Sequence, residues 1–232
     1  MRDDLERVID VLEQPGIKSK YRSLMDIVYD QLQDDILSGK LPPNSPLNTS
    51  EIALNMKISR TPVREAINKL ASVGLVNKTN HKESKVSSFM GDEIHEIYYV
   101  RAALEGLAAR TAAKSMSRAD KEALLLLAQQ SKQLAETGDL ERFMENNYRF
   151  HHLIYKYVTT PLIRAVIEQF YIISRQYRNI GYELKDRNHS VSEEHSLIAQ
   201  SIYDGNEDDA EKYGRLHHQR TMMVIQEQFQ TK

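Results

Sequence analysis

The chain has 232 residues, 41% hydrophobic and 28% charged, the balance of a folded soluble protein built as one large or two ordinary domains. It has no cysteine, which excludes disulfides and thiolate metal sites and leaves nitrogen and oxygen as donors for any transition metal. The net charge of −2 hides an asymmetry, because residues 18–90 hold 11 Lys/Arg against 7 Asp/Glu whereas the flanking segments 1–17 and 91–232 are each acidic; local charge decides whether a surface can meet phosphate.

The N-terminus, MRDDLERVID, lacks the apolar core of a signal peptide, and no apolar run approaches the roughly 18 residues of a membrane span. A cytoplasmic protein with no membrane partner is expected. Residues 1–17 read as an N-terminal extension helix with Leu5, Val8, Ile9 and Leu12 on one face. In residues 18–90, Leu24, Ile27, Val28, Leu32 and Ile36 form a helical stripe that stops at Gly39, and LPPNSP breaks the chain. Ser50 is expected to cap a short helix with Ile52, Ala53 and Met56 facing inward, and Thr61 before Pro62 to start the next, which runs to Gly74. LVNKT and SKVSSF around NHKE then read as a two-stranded wing, which makes residues 18–90 a winged helix-turn-helix. From residue 91 to 232 the pattern is all-helical, with helices expected over 92–114, 118–136, 139–158, 161–181, 191–203 and 207–229. The fold class is mainly α: a winged helix-turn-helix followed by an antiparallel bundle of about six helices.

The start of the second short helix, Ser59-Arg60-Thr61-Pro62-Val63-Arg64, gathers hydroxyls and two guanidinium groups where free backbone N–H groups also favour anions. That composition suits phosphate gripping and guanine reading in double-stranded DNA, since an Arg fork matches guanine O6 and N7. Lys69 adds a backbone contact, and His81 with Lys82 at the wing tip would reach the minor groove. Singly, Arg60 or Arg64 is an ordinary surface charge; the set together with a wing points to DNA.

Six of the eight histidines fall between residues 151 and 218. On the helix expected over 139–158, Phe143, Asn147, His151 and Ile154 share one face, so His151 points inward and His152 to the side. His195 lies on the stripe of Ile198, Ala199 and Ile202, and His217 on that of Ala210, Thr221 and Val224. Three helices can thus aim imidazoles at one point, as in a bundle metal site; satisfied core histidines are the equal alternative.

The run "ILSGKLPPNSPLNTSEIALNMKISRTPVREAINKLASVGLV" closely resembles the DNA-binding domain of GntR-type bacterial transcription regulators, and the helical remainder resembles the FCD effector domain of the FadR subgroup. The resemblance implies a homodimer on a palindromic operator, whose DNA affinity answers to a small molecule held in the helical domain. It implies a divalent metal, zinc or nickel, on the positions matching Asn147, His151, His195 and His217, with Asn147 standing where relatives carry Asp. It places Arg101 in the pocket as a clamp for a small carboxylate effector, with pairing to Glu105 one turn on as the equal alternative; Tyr171 and Arg175 are further pocket candidates. Ser50 occupies a position where relatives often have Arg and is kept among the DNA-facing residues, and the wing lacks the glycine many relatives have near its tip. The rival function is a metal-dependent hydrolase on the three histidines with Glu194 as base. Against it, the chain has no His-Glu-x-x-His, nucleophile elbow or glycine-rich phosphate loop.

Overall fold

The computed structural model describes residues 23–79, 83–89, 92–175, 177–178 and 185–230. The extension helix expected over 1–17 and the wing-tip residues His81 and Lys82 lie outside the described residues. The chain divides into two compact units between Ser88 and Phe89.

In the first unit, α1 (Leu24–Leu37) begins at Ser23, whose hydroxyl accepts from the Asp26 N–H, and buries Val28, Leu32, Ile36 and Leu37. Gly39 follows at φ +80, the left-handed conformation that ends a helix at least cost in glycine. α2 (Thr49–Asn55) is capped by Asn48, not Ser50: the Asn48 side-chain oxygen accepts from both Ser50 N and Glu51 N, a double satisfaction worth about 1 kcal/mol. α3 (Arg60–Ser72) likewise starts earlier than expected, with Ser59 at the cap position and Thr61 inside the first turn. Pro62 tolerates that place because a first-turn residue has no intrahelical acceptor for an N–H. Between α2 and α3, Lys57 takes φ +53, so the turn reverses within a few residues. Val63, Ala66, Ile67 and Leu70 on α3 are buried. The wing is an antiparallel pair, β1 (Val76–Thr79) and β2 (Glu83–Val86), in the register Val76 to Val86 and Thr79 to Glu83.

The second unit contains α4 (Asp92–Ser115), α5 (Arg118–Thr137), α6 (Leu140–Tyr155), α7 (Pro161–Ile173), α8 (Lys185–Asp204) and α9 (Glu207–Gln230). The expectation of a mainly helical chain with a helical bundle after the winged helix holds, with these six helices among the described residues. α4 is central, packing along α9 and against α6, α7 and α8. Gly106 and Gly214 make the α4–α9 crossing close: a Cβ at Gly214 would lie 3.2 Å from Gly106 Cα and 3.3 Å from Ala109 Cβ. The core between the helices is built from small residues on α4 (Ala108, Ala109, Ala112) against Phe150, Ile154 and Ile198. Two boundaries differ from expectation. α7 stops at Ile173, with Ser174 as its C-cap, and Tyr177 N and Arg178 N both bond to Ser174 O in a separate helical turn. α8 begins at Lys185 rather than 191, because its first turns carry the polar residues Arg187 and Asn188, which are buried in spite of their polarity.

Candidate functional site

On the first unit, Ser50, Ser59, Arg60, Thr61, Arg64 and Lys69 are all solvent-exposed. Ser59 makes no side-chain capping bond and no acidic residue stands in the first turn of α3, so the helix start offers donors and positive charge without an internal anion to neutralise them. Lys69 differs: its ammonium lies 3.2 Å from Asp26 Oδ1 and 4.3 Å above the Tyr29 ring. The Ser23 hydroxyl and then Lys69 hold the Asp26 carboxyl below its ordinary range. Any phosphate contact by Lys69 must compete with that carboxylate.

In the second unit, α6, α8 and α9 bring His151, His195 and His217 together. Their ring centroids form a near-equilateral triangle with sides of 5.3, 5.3 and 5.1 Å, and one donor atom from each lies within 4.8 Å of the others. All three are buried. α6 delivers Asn147 one turn before His151; it is 2% exposed, and its amide N–H donates to Tyr171 Oη at 3.4 Å. His152 is half-buried and stacks on Tyr148 at 3.8 Å instead of entering the cluster, the sideways position its helical phase implied.

Each imidazole is oriented from behind. Glu105 Oε2 lies 3.2 Å from His151 Nδ1, Glu194 Oε2 lies 2.7 Å from His217 Nδ1, and Ser131 Oγ lies 3.4 Å from His195 Nδ1. A neutral histidine that donates through Nδ1 carries its lone pair on Nε2, the arrangement by which a carboxylate behind the ring directs the other nitrogen at a metal. Burial depresses His151 and His217 to about 4, against the opposing pull of Glu105 and Glu194. Burial, then the neighbouring His217 and His151, hold His195 well below its ordinary value. All three are therefore neutral at neutral pH, the form that ligates. His195 Nε2 and Asn147 Oδ1 are buried without a hydrogen-bond partner. Such orphans are rare and call for an explanation; a divalent cation would satisfy both, so the residues present fit one.

Sequence reasoning did not single out His218 or Arg187, and it named Glu105 and Glu194 without the role they have behind His151 and His217. Glu105 is the hub: its carboxylate takes Arg101 Nε at 2.7 Å, His218 Nε2 at 2.8 Å, His151 and the Tyr155 hydroxyl. Burial opposes its charge, but Arg101, followed by His218 and His151, keeps it ionised far below the usual carboxylate range. His218 is buried beside His217 because α9 is enclosed on two sides, so neighbours about 100° apart both find protein. Glu105, His151 and His218 form a second cluster of closely spaced donors. Arg187 grips Glu194 through two bonds of 2.8 and 3.0 Å. Despite burial, His217 and Arg187 bring Glu194 down to about 2, which makes it too weak a base for the hydrolase role considered above. A carboxylate on the otherwise apolar stripe of α4 was the one available signal for Glu105.

Arg101 makes the intrahelical pair, with Nη2 2.6 Å from Glu105 Oε1, and is 2% exposed. Its Nη1 donates to Ser174 Oγ at 2.8 Å. Tyr171 is buried beside it. Arg175, expected in the pocket, is exposed; α7 ends before it, and the following turn directs Arg178 inward in its place, 6% exposed and 4.0 Å over the Tyr171 ring. No helix of the described residues is long and apolar enough to cross a membrane.

Comparison with known proteins agrees with this architecture. Residues 24–83 match the model of the bacterial regulatory proteins of the gntR family, and residues 96–220 match the FCD domain. The HTH-type transcriptional regulator McbR of Escherichia coli K12 is 30% identical over 159 residues, 68% of this chain and 72% of McbR. The uncharacterized HTH-type transcriptional regulator YdhC of Bacillus subtilis strain 168 is 25% identical over 194 residues, 82% of this chain and 85% of YdhC. The solved structure of E. coli McbR/YncC shares the fold with a TM-score of 0.75 at 24% identity, covering 90% of this chain and 100% of that one. The chain belongs to the gntR family and joins its DNA-binding helix-turn-helix to an FCD domain, and so is a DNA-binding transcription regulator of that type.

Proposed function

We propose that this regulator is a cytoplasmic homodimer that binds a palindromic operator through residues 18–90 and answers to a small carboxylate effector held, together with a divalent metal, in residues 91–232. The single observation that carries the reading is the triangle of buried neutral imidazoles, one of whose acceptors, His195 Nε2, is unpartnered, as is the buried Oδ1 of Asn147, one helical turn before His151. In this proposal Asn147, His151, His195 and His217 hold the ion, zinc or nickel by their nitrogen-rich donor set. The ion supplies Lewis acidity and an open position for an effector oxygen. Glu105 and Glu194 orient His151 and His217, Tyr171 closes the neighbouring wall, and Arg101 meets the effector carboxylate.

At the operator, Arg60 and Arg64 present guanidinium forks from the start of α3, and Ser59, Thr61 and Ser50 present hydroxyls to phosphate. Effector binding must favour one arrangement of the bundle over another, and the coupling to DNA is equal in both directions. Metal analysis of protein purified without chelator or nickel resin, beside His195→Ala, tests the reading. A stoichiometric divalent ion in the wild type, lost in the variant, is expected. The metal assignment fails if neither protein holds an ion after zinc or nickel is added.

A further inference from the structure

Beyond Arg60, Thr61 and Arg64, the outward face of α3 carries Asn68. It is exposed and stands opposite the buried stripe of Val63, Ala66, Ile67 and Leu70. At about 100° per residue it lies within about 40° of Arg64 and about 20° of Thr61 around the helix, so it shares the face proposed to meet DNA. Two polar neighbours toward the end of α3 are turned to other partners. Ser72 Oγ donates to Lys69 O at 2.8 Å, and the Lys69 ammonium is held by Asp26 and the Tyr29 ring.

The Asn68 amide is engaged on one side. Lys78, on β1 of the wing, donates its ammonium to Asn68 Oδ1. An ammonium only donates, so it is the amide oxygen that faces it, and the two Nδ2 N–H donors are left for another partner. A lone asparagine in the major groove suits adenine, because its oxygen accepts from the N6 amino group while its N–H donates to N7. Lys78 changes that preference. The amide oxygen keeps a second lone pair, but an adenine amino group placed on it would lie beside an ammonium, donor against donor. Guanine presents two acceptors, O6 and N7; N7 can take the Asn68 N–H and O6 the Lys78 ammonium. The pair thus favours guanine and rejects adenine by the same charge.

We infer that Asn68 and Lys78 together read a guanine of the operator, with Lys78 of the wing converting an adenine-type reader on α3 into a guanine-type one. With α3 in the major groove, Asn68 lies about 6 Å further along the helix than Arg64, more than the about 3.4 Å between successive bases of one strand, so the two meet different base pairs. The inference rests on the placement of α3 at the operator proposed above and is independent of the metal and the effector. It gives β1 a part in base selection, separate from any contact of the wing tip.

The test is selection of binding sites from a random duplex pool by the full-length protein and by Asn68→Ala, Lys78→Met and Arg64→Ala, followed by fluorescence anisotropy on single-base changes of the wild-type site. Asn68→Ala should lose the preference at one guanine of the half-site, where the wild type discriminates by roughly tenfold. Lys78→Met should keep a preference at that position and move it from guanine to adenine. Both side chains are exposed, so the variants should fold as the wild type does, which circular dichroism checks. The inference is overturned if Asn68→Ala selects the wild-type site with every position intact, or if Lys78→Met still selects guanine where Asn68→Ala has no preference. It is equally overturned if Lys78→Met binds all sequences more weakly, with a shallower salt dependence and the same base preference, which makes Lys78 a phosphate contact only. If the placement of α3 itself is wrong, Arg64→Ala and Asn68→Ala both select the wild-type site; if the inference alone is wrong, Arg64→Ala changes it and Asn68→Ala does not.

Discussion

His218 Nε2 lies 2.8 Å from Glu105 Oε2, and this contact ties α9 to α4 inside the bundle. The same oxygen faces His151 Nδ1 at 3.2 Å, while the other takes the Arg101 guanidinium. One carboxylate therefore links the residue proposed for effector binding, a proposed metal ligand and a histidine with no assigned ligand role. Its position explains how an event at Arg101 can be felt at His151 without a large backbone movement: a change in the partners of Glu105 changes the orientation and basicity of the imidazole.

Glu105→Gln removes the negative charge and leaves Arg101 as an unpaired buried cation. The expected loss in urea unfolding of the metal-free protein is about 3–5 kcal/mol. If the variant is folded, zinc affinity should fall roughly 10–100-fold. Unchanged stability would show that Arg101 finds another anion.

Asn147→Asp places a carboxylate where an unpartnered amide oxygen now lies. Zinc affinity, measured by competition with a chromophoric chelator, should rise by roughly tenfold, equivalent to about 1.4 kcal/mol. Equal or weaker affinity would remove Asn147 from the ligand set.

On the first unit, Arg64→Ala should weaken operator binding by about 1–3 kcal/mol and lower the salt dependence of binding. Lys69→Ala should cost less, because its ammonium is already engaged by Asp26 and Tyr29. Fluorescence anisotropy over a salt series on an operator duplex separates the two; a larger effect at Lys69 than at Arg64 would reverse the assignment.

Acidification should destabilise the metal-free helical domain in a defined window. Buried His151, His217 and His218 titrate at about 4, against about 6.5 in an unfolded chain. Between these values the unfolded state binds more protons, so stability is complete above about 6.5 and declines as the pH falls toward 4. Glu194, lowered to about 2, contributes its stabilisation above the ordinary carboxylate value and loses it only in stronger acid. Melting temperature at pH 5 should be lower than at pH 7.5, and His218→Gln should flatten the slope. A flat profile in the wild type would mean that these histidines are solvated.

Gly214→Ala tests the crossing of α4 and α9. Alanine is the better helix former by about 1 kcal/mol, yet its Cβ would meet Gly106 Cα at 3.2 Å and Glu105 O at 3.4 Å, backbone atoms that move only with the helix. Overpacking of about 1–3 kcal/mol should prevail, and the shift falls on the helix that carries Glu105. A rise in melting temperature would show that the crossing can open.

The order of elements was legible because each depends on neighbours along the chain. The stripe of α1 ended by Gly39, the Ser-Arg-Thr-Pro start of α3 and the 3.6-residue spacing of His151 among Phe143, Asn147 and Ile154 are local patterns. Both caps were read two residues late, since Asn48 and Ser50, like Ser59 and Thr61, have similar capping chemistry and only the backbone shows which is in extended conformation. That three histidines on three helices share an inward face followed from the same periodicity. That they form a triangle with 5 Å sides did not, because convergence depends on how closely α4, α6, α8 and α9 pack. Arg178 rather than Arg175 turns inward because α7 breaks at Ser174, where the serine hydroxyl accepts a long-range bond from Arg101 and a local one from Arg178. Periodicity tells which side of a helix is buried, and so the sequence alone determined the winged helix, the bundle and the inward histidines. Which charge meets which is a contact between residues as much as 113 positions apart, as with Glu105 and His218, and only the folded packing decided it.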